Sequence, residues 1–283
     1  MLRTLAGFFL LIAAAAACAQ SEVREDQAVG DSINYVFATD LGSGVYDLGG
    51  RTLQIYRFTY KKELREARLE SEDPPTDHQL GARFVLPVTA GFFDFSPVDV
   101  ITSGPPTRVD SFSVVPGLEL DYLLPGGWHI LPYARTGFSV ASSSVDGWLY
   151  GAGIRAERRA DFHGWDGFAL TDLAYAGVKY RHDAPGDRFV RLRQGFDFTR
   201  GVKVRARGRE LELGVYAILD VIGDPPTAPV ANAEQAPMQA EFGITFASRP
   251  RIKIWRFDMP RLGFGYRLAG ELTAWRLVIG APL

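Results

Sequence analysis

One cysteine stands in 283 residues, which leaves no intrachain disulfide framework and no cysteine-rich metal site. The four histidines (His78, His129, His163, His182) are widely separated, and none has a metal spacing such as H-x-x-x-H. Lysine is scarce as well. Lys61, Lys62, Lys179, Lys203 and Lys253 are the only five, which leaves 26 arginines among 31 basic residues. Neither sign of charge dominates, and a net charge of −2 speaks against a broad basic surface for nucleic acid. There is no phosphate-binding glycine loop, because the glycines fall at strand positions rather than at helix starts. After residue 20 no run of ~18 apolar residues occurs, which excludes a later membrane-spanning helix. A composition of 47% hydrophobic and 23% charged residues excludes disorder and a helical membrane bundle. Thirty glycines and 17 prolines argue against long helices.

What is present begins with an address. Met1–Gln20 has a basic start at Arg3, an apolar run from Leu5 to Ala17, and an A-x-A ending at Ala17-Cys18-Ala19. The run is too short to span a bilayer and has the three regions of a secretory signal peptide. Acidic residues follow at once (Glu22, Glu25, Asp26), which argues against a buried N-terminal helix. Cleavage after Ala19 discards the only cysteine. Cleavage before Cys18 leaves a lipid-anchored cysteine, a pattern that usually has Leu where Ala15 stands. The first cut is favoured, giving a signal peptide over 1–19 and a mature domain over 20–283.

The mature chain has the period of a strand with two different faces. In 109–122, Phe112, Val114, Pro116, Leu118, Leu120 and Tyr122 alternate with Ser111, Ser113, Gly117, Glu119 and Asp121. In 128–140, Trp128, Ile130, Ala134, Phe138 and Val140 oppose His129, Tyr133, Arg135, Gly137 and Ser139. The same division runs through 147–157, with Arg155 and Glu157 on the polar face. It continues through 189–199 (Arg191, Arg193, Asp197), 210–221 (Glu212, Asp220) and 238–246 (Gln239, Glu241). Further strands are expected near 31–39, 51–60, 79–90, 167–180, 251–257, 262–269 and 272–280. Turn signals separate them, among them Pro125-Gly126-Gly127, Asp146-Gly147 and Asp183-Ala184-Pro185-Gly186. Two longer connectors are expected, charged Lys61–Asp77 and Pro/Ala-rich Asp224–Pro237. Pro116 and Pro132 each require a bulge or the end of a segment. Two countings give twelve strands. In one, 31–39 is a strand and 251–269 is a single strand. In the other, Pro260 splits 251–269 and 31–39 lies outside.

Alternation fits a soluble barrel with apolar residues inside, or a membrane barrel with apolar residues outside. The polar face is Gly, Ser, Arg and carboxylates rather than a Lys/Glu/Thr surface. Such a face suits a confined interior where planar guanidiniums pair with acids. Aromatics near segment ends (Trp128, Trp148, Tyr180, Trp255, Trp275) resemble interfacial girdles. The expected fold is all-β, an antiparallel transmembrane (outer-membrane) β-barrel of about 12 strands. The secreted soluble barrel binding an apolar ligand stays open as an alternative.

The chain closes with Phe264-Gly265-Tyr266-Arg267, a short turn, then Trp275-Arg276-Leu277-Val278-Ile279-Gly280-Ala281-Pro282-Leu283. This hairpin resembles the solitary outer-membrane autotransporter-like β-barrel family, proteins similar to an autotransporter translocator without its passenger. Leu283 stands where such barrels usually end in Phe. The resemblance implies a twelve-stranded barrel in a Gram-negative outer membrane and no established activity. It implies membrane lipids and, during insertion, the barrel-assembly machinery as partners, no nucleic acid, and a monomer.

Chemistry is sparse. Ser142-Ser143-Ser144 has no histidine beside it, and His163-Gly164-Trp165 reads as a turn. His182-Asp183 is the dipeptide an outer-membrane protease of the omptin type would use, yet it sits in a strong turn signal. A lipid- or peptide-acting hydrolase using His182-Asp183 or His129 remains the enzymatic alternative. No catalytic, metal or cofactor-binding residue is assigned and no cofactor is expected. The candidate site is a lumen charge network of Glu119, Asp121, Arg135, Arg155, Glu157, Arg191, Arg193, Glu212, Glu241, Arg267 and Arg276. Acids and bases in it are nearly matched, so its expected role is to hold and fill the lumen. An anion-selective lining is the sharper reading. The basic run Arg200–Arg209 is expected at a solvated hairpin tip or against lipid phosphates. The leading expectation is a non-enzymatic structural barrel or a narrow, plugged pore.

Overall fold

The computed structural model describes residues 43–48, 51–67, 80–93, 111–141, 146–181, 186–206, 208–223, 237–254, 257–269 and 272–283. No helix occurs among them. The strands are β1 (Gly44–Leu48), β2 (Arg51–Arg65), β3 (Leu80–Phe93), β4 (Ser111–Val114), β5 (Gly117–Leu124), β6 (Trp128–Ala141), β7 (Gly147–Phe162) and β8 (Trp165–Tyr180). They continue as β9 (Asp187–Ala206), β10 (Arg209–Gly223), β11 (Met238–Arg249), β12 (Lys253–Ile254), β13 (Phe257–Asp258), β14 (Leu262–Ala269) and β15 (Leu272–Ile279). The main sheet is antiparallel throughout. Its pairings run from β2 through β1, β15, β14 and β11 down to β6, then through β4 and β5 to β3. β3 pairs with β2 again, so the ring of pairings returns to its start. A closed ring removes the unpaired edges that an open sheet would expose.

β4 and β5 share one position in this ring. Both keep the same register against β3 (Val88↔Val114, Val85↔Gly117) and against β6 (Val114↔Phe138, Gly117↔Arg135). The break falls at Val115-Pro116, where proline has no N–H to give to the ladder. Counted so, twelve strands surround the interior. Pro132 breaks the expectation for prolines. It needs no bulge, stays paired with Ile154 of β7, and interrupts only the β5 side of its strand.

The set of twelve differs from both countings made on the sequence. Pro260 does separate 251–257 from 262–269, but β12 and β13 form a two-stranded hairpin outside the main sheet. The remaining strand is the short β1, which sequence reading missed because five residues carry too little alternation. Residues 31–39 lie outside the described residues. The first connector was also misplaced. Lys61–Arg65 belongs to β2 and pairs with β3 up to Arg65↔Ala82. Alternation is invisible there because both faces carry charge. For the same reason β7 and β9 run past the expected ends, to Phe162 and Ala206. A bilayer crossing takes about 9–11 residues. Strands of 16 and 20 residues therefore project beyond any such belt at the end carrying residues 158–168 and 200–209.

Burial follows the alternation with the hydrophobic face turned outward. Phe58 is 70% exposed, and Leu118, Phe138, Trp148, Ile154, Val190, Phe196, Phe242, Ile244 and Phe264 are exposed with it. Glu119, Asp121, Asp172, Arg191, Asp197, Asp220, Glu241 and Arg267 are buried. A soluble fold reverses this arrangement. Towards the end where β9 begins, the inner wall turns apolar, with Leu149, Ala176, Val178, Phe189 and Ile222 packed around Val115. Gly137 makes that contact between Val115 and Leu149 possible, because a Cβ there would fall 1.9 Å from the Val114 carbonyl oxygen.

Trp148 and Trp275 face outward and exposed, while Trp128 and Tyr180 are half-buried. Trp255 lies outside the described residues. At the projecting end, Arg158 lies over Trp128 and Arg200 over Trp165. His163 stands in the two-residue turn between β7 and β8 with φ 53°, and Gly164 follows at 79°. This is the left-handed backbone a tight hairpin requires. The last strand ends sooner than expected. Gly280, at φ 103°, turns the chain inward, and Leu283 packs against Tyr216, Ile218 and Val278 in the interior.

Candidate functional site

Because side chains alternate along a strand, inward residues in register form rows across neighbouring strands. One row reads Arg155 (β7), Asp172 (β8), Arg193 (β9), Asp220 (β10) and Gln239 (β11), each directly opposite the next. The row beside it carries His129, Glu157, Leu170, Gly195, Ile218, Glu241 and Arg267. Opposite charges thus meet by register, before any side chain bends.

Asp220 is the hub. Arg193 donates to it twice, at 2.7 and 2.9 Å, Arg267 lies at 3.6 Å and Arg191 at 4.0 Å. Arg191 donates to Asp172 at 2.8 Å. Arg267, 1% exposed, binds Glu241 at 2.8 Å and donates to Gln239 at 3.0 Å. Glu241 also accepts from Arg276 at 2.9 Å and from the Tyr216 hydroxyl at 2.8 Å. Tyr216 has room to reach it because β11 and β14 carry Gly243 and Gly265 opposite its ring. A Cβ at Gly265 would sit 2.0 Å from the Tyr216 oxygen.

On the other side, Arg155 holds Glu119, Glu157 and Asp172 loosely, at 3.5, 3.6 and 3.8 Å. Arg83 bridges Glu63, Glu119 and Asp121 at 3.0, 3.4 and 3.3 Å. His129 Nδ1 lies 2.8 Å from Asp121. Arg135 lies over the Tyr133 ring, 5.9 Å from its centroid, and occupies the space left by Gly151. At the projecting rim, Glu212 pairs with Arg249 and, at 2.8 Å, with Arg251, and Arg249 reaches Asp166 at 2.7 Å. Arg261 pairs with Asp197.

The eleven residues read from sequence all stand on the inner side of the barrel. They do not form one group. Glu212 belongs to the rim cluster, while most of the others link through Arg155, Asp172, Asp220 and Glu241. Sequence reading missed Arg57, Arg83, Asp172, Arg249, Arg251 and Arg261. The first three stand in segments whose faces had not been assigned, and the last three near β-strand ends where alternation fades. The interior holds a cavity of about 1570 Å³, reaching from the rim at Arg249 and Pro260 down to Arg57, Asp172 and Arg191. Thirteen Arg and Lys and eight Asp and Glu line it, and three further carboxylates, Asp121, Asp220 and Glu241, pair with arginines of that lining.

Among the described residues no hydroxyl or thiol hydrogen-bonds His129, and no group of three or more His, Cys, Asp or Glu is placed to hold a metal. His78, His182, Asp183 and Ser142–Ser144 lie outside the described residues.

No family model matches the chain, and no curated protein matches it. Among solved structures it is similar to the beta domain of the Bordetella autotransporter BrkA. The TM-score is 0.44 and the identity 10%, over 83% of this chain and 93% of that one.

Proposed function

We propose that the protein is an integral outer-membrane β-barrel, exported by its N-terminal signal sequence, with a non-enzymatic role as a structural barrel or narrow pore. The observation that carries this reading is the inverted burial of a closed sheet, with Phe58, Phe138, Trp148, Phe242 and Phe264 outside and Asp220, Glu241 and Arg267 inside. Closed barrels satisfy every backbone hydrogen bond internally, which is what a hydrocarbon solvent demands. The secreted soluble barrel is disfavoured, since its ligand-binding interior would be the apolar face. The enzymatic reading through His129 is disfavoured because its partner Asp121 is shared with Arg83 in the charge network. The twelve-stranded ring closed by the C-terminal hairpin supports the solitary autotransporter-like type. On this reading lipids surround the belt, and the chain works as a monomer.

Purified protein in detergent is expected to run faster on gels before boiling than after, and to insert into planar bilayers. Recovery as a soluble periplasmic protein without detergent overturns the reading. The wild-type current is expected to be small, because Arg155 and its three carboxylates crowd the inner wall along β5, β7 and β8. Arg155→Ala is expected to raise conductance and lower the unfolding temperature together. A large wild-type current left unchanged by the substitution rules out the narrow lumen.

A further inference from the structure

Not every guanidinium of the lining has an acid among the described residues. Arg57 of β2 lines the cavity, and its Nε is buried without a hydrogen-bond partner. Among the described residues no carboxylate pairs with it. The guanidiniums of Arg135, Arg155, Arg193 and Arg276 line the same cavity and act on it with like charge. Three interior carboxylates are engaged by other arginines: Asp220 by Arg193, Glu241 by Arg276 and Arg267, Asp172 by Arg191. Arg155 also has a buried Nε without a hydrogen-bond partner, its nearest acid being Asp172 at 3.8 Å. A buried cation among cations costs free energy unless an anion joins it.

We propose that the cavity binds an oxyanion, a phosphate or carboxylate group, between Arg57 and the guanidiniums of Arg135, Arg155, Arg193 and Arg276. A planar guanidinium meets an oxyanion with two parallel N–H donors, which suits this set better than ammonium groups would. The space far exceeds one such group, since pockets of about 300–1,000 Å³ already hold a drug-sized ligand. The oxyanion is therefore the anchoring part of a larger solute that enters from the rim at Arg249 and Pro260. The proposal rests on the interior geometry alone and holds whether or not the barrel sits in a membrane.

The test uses the full chain folded in detergent, with inorganic phosphate and citrate as probes against sodium chloride of equal ionic strength. Wild-type protein is expected to unfold at a higher temperature with phosphate than with chloride. Arg57→Gln is expected to abolish that rise and weaken phosphate binding by calorimetry at least tenfold. It is also expected to leave the phosphate-free unfolding temperature unchanged or raised, because like-charge repulsion is relieved. Arg57→Lys keeps the charge, loses the fork and retains part of the response. Arg181→Gln, at an exposed site remote from the cavity, retains all of it. A rise with phosphate alone assigns a phosphoryl group, and a rise with both probes assigns any oxyanion. No response above chloride, a response that survives Arg57→Gln, or a phosphate-free unfolding temperature lowered by that substitution overturns the proposal.

Discussion

At the residue scale, Asp220 decides more than its neighbours. It is 2% exposed and holds three guanidiniums, those of Arg191, Arg193 and Arg267. Asn in its place keeps the shape but leaves three confined cations facing one another. Breaking a buried pair from one side costs about 3–5 kcal/mol. Asp220→Asn is expected to fall in that range when urea unfolding is followed in lipid vesicles. The ion pair between Arg181 and Asp146 is the contrast, 3.7 Å long with the arginine side chain 74% exposed. Arg181→Ala is expected to stay within about 0.5 kcal/mol. Equal effects of the two substitutions would mean that the interior pairs are solvated like surface ones.

At the element scale, β10 presents both faces of the argument in one strand. Its inward residues Glu212, Gly214, Tyr216, Ile218, Asp220 and Ile222 are buried, and Leu211, Leu213, Val215, Ala217, Leu219 and Val221 point outward. Ala217 lies opposite Phe196 on one side and Phe242 on the other, in the middle of the apolar belt. Arginine there meets hydrocarbon, and Ala217→Arg is expected to cost about 2–4 kcal/mol in vesicles. Three residues away, Gly214→Ala acts by a different cause, since the new Cβ would fall 2.2 Å from Thr245 Oγ1 inside the barrel. Overpacking of that kind costs about 1–3 kcal/mol. A neutral Ala217→Arg beside a costly Gly214→Ala would show that the outward face of β10 meets water. The two faces of this strand were legible in sequence, because every odd position from 211 to 221 is Leu, Val or Ala, although Tyr216 and Ile218 interrupt the polar face. β1 was not, because its five residues acquire their place only by pairing with β2 and β15.

At the scale of the whole molecule, closure depends on unequal seams. β8 and β9 pair over thirteen residues each, from Asp166↔Thr199 to Val178↔Asp187. Among the described residues β1 meets β15 through Val45↔Trp275 and Tyr46↔Ala274 alone. Amides with few ladder neighbours open locally at low free energy. Hydrogen exchange on the folded barrel is therefore expected to be fastest at β1 and the facing residues of β15, and slowest in β8, β9 and β10. Uniform protection around the ring would mean that the seam is held by something other than these two pairs.

The sequence by itself determined the alternation and the residue types on each face, because period two is a local property of neighbouring side chains. It determined which residues face inward wherever one face of a segment was wholly apolar. Only the tertiary structure decided which charges meet, because partners such as Arg191 and Asp172 or Arg267 and Glu241 come together through strand register, which no single segment encodes. It also decided that Arg57 pairs with no acid among the described residues. Counting charges on inward faces gave a near balance. Where each guanidinium lies depends on the ring closing β2 against β1 and β3, and that closure gathers arginines from five strands around one space.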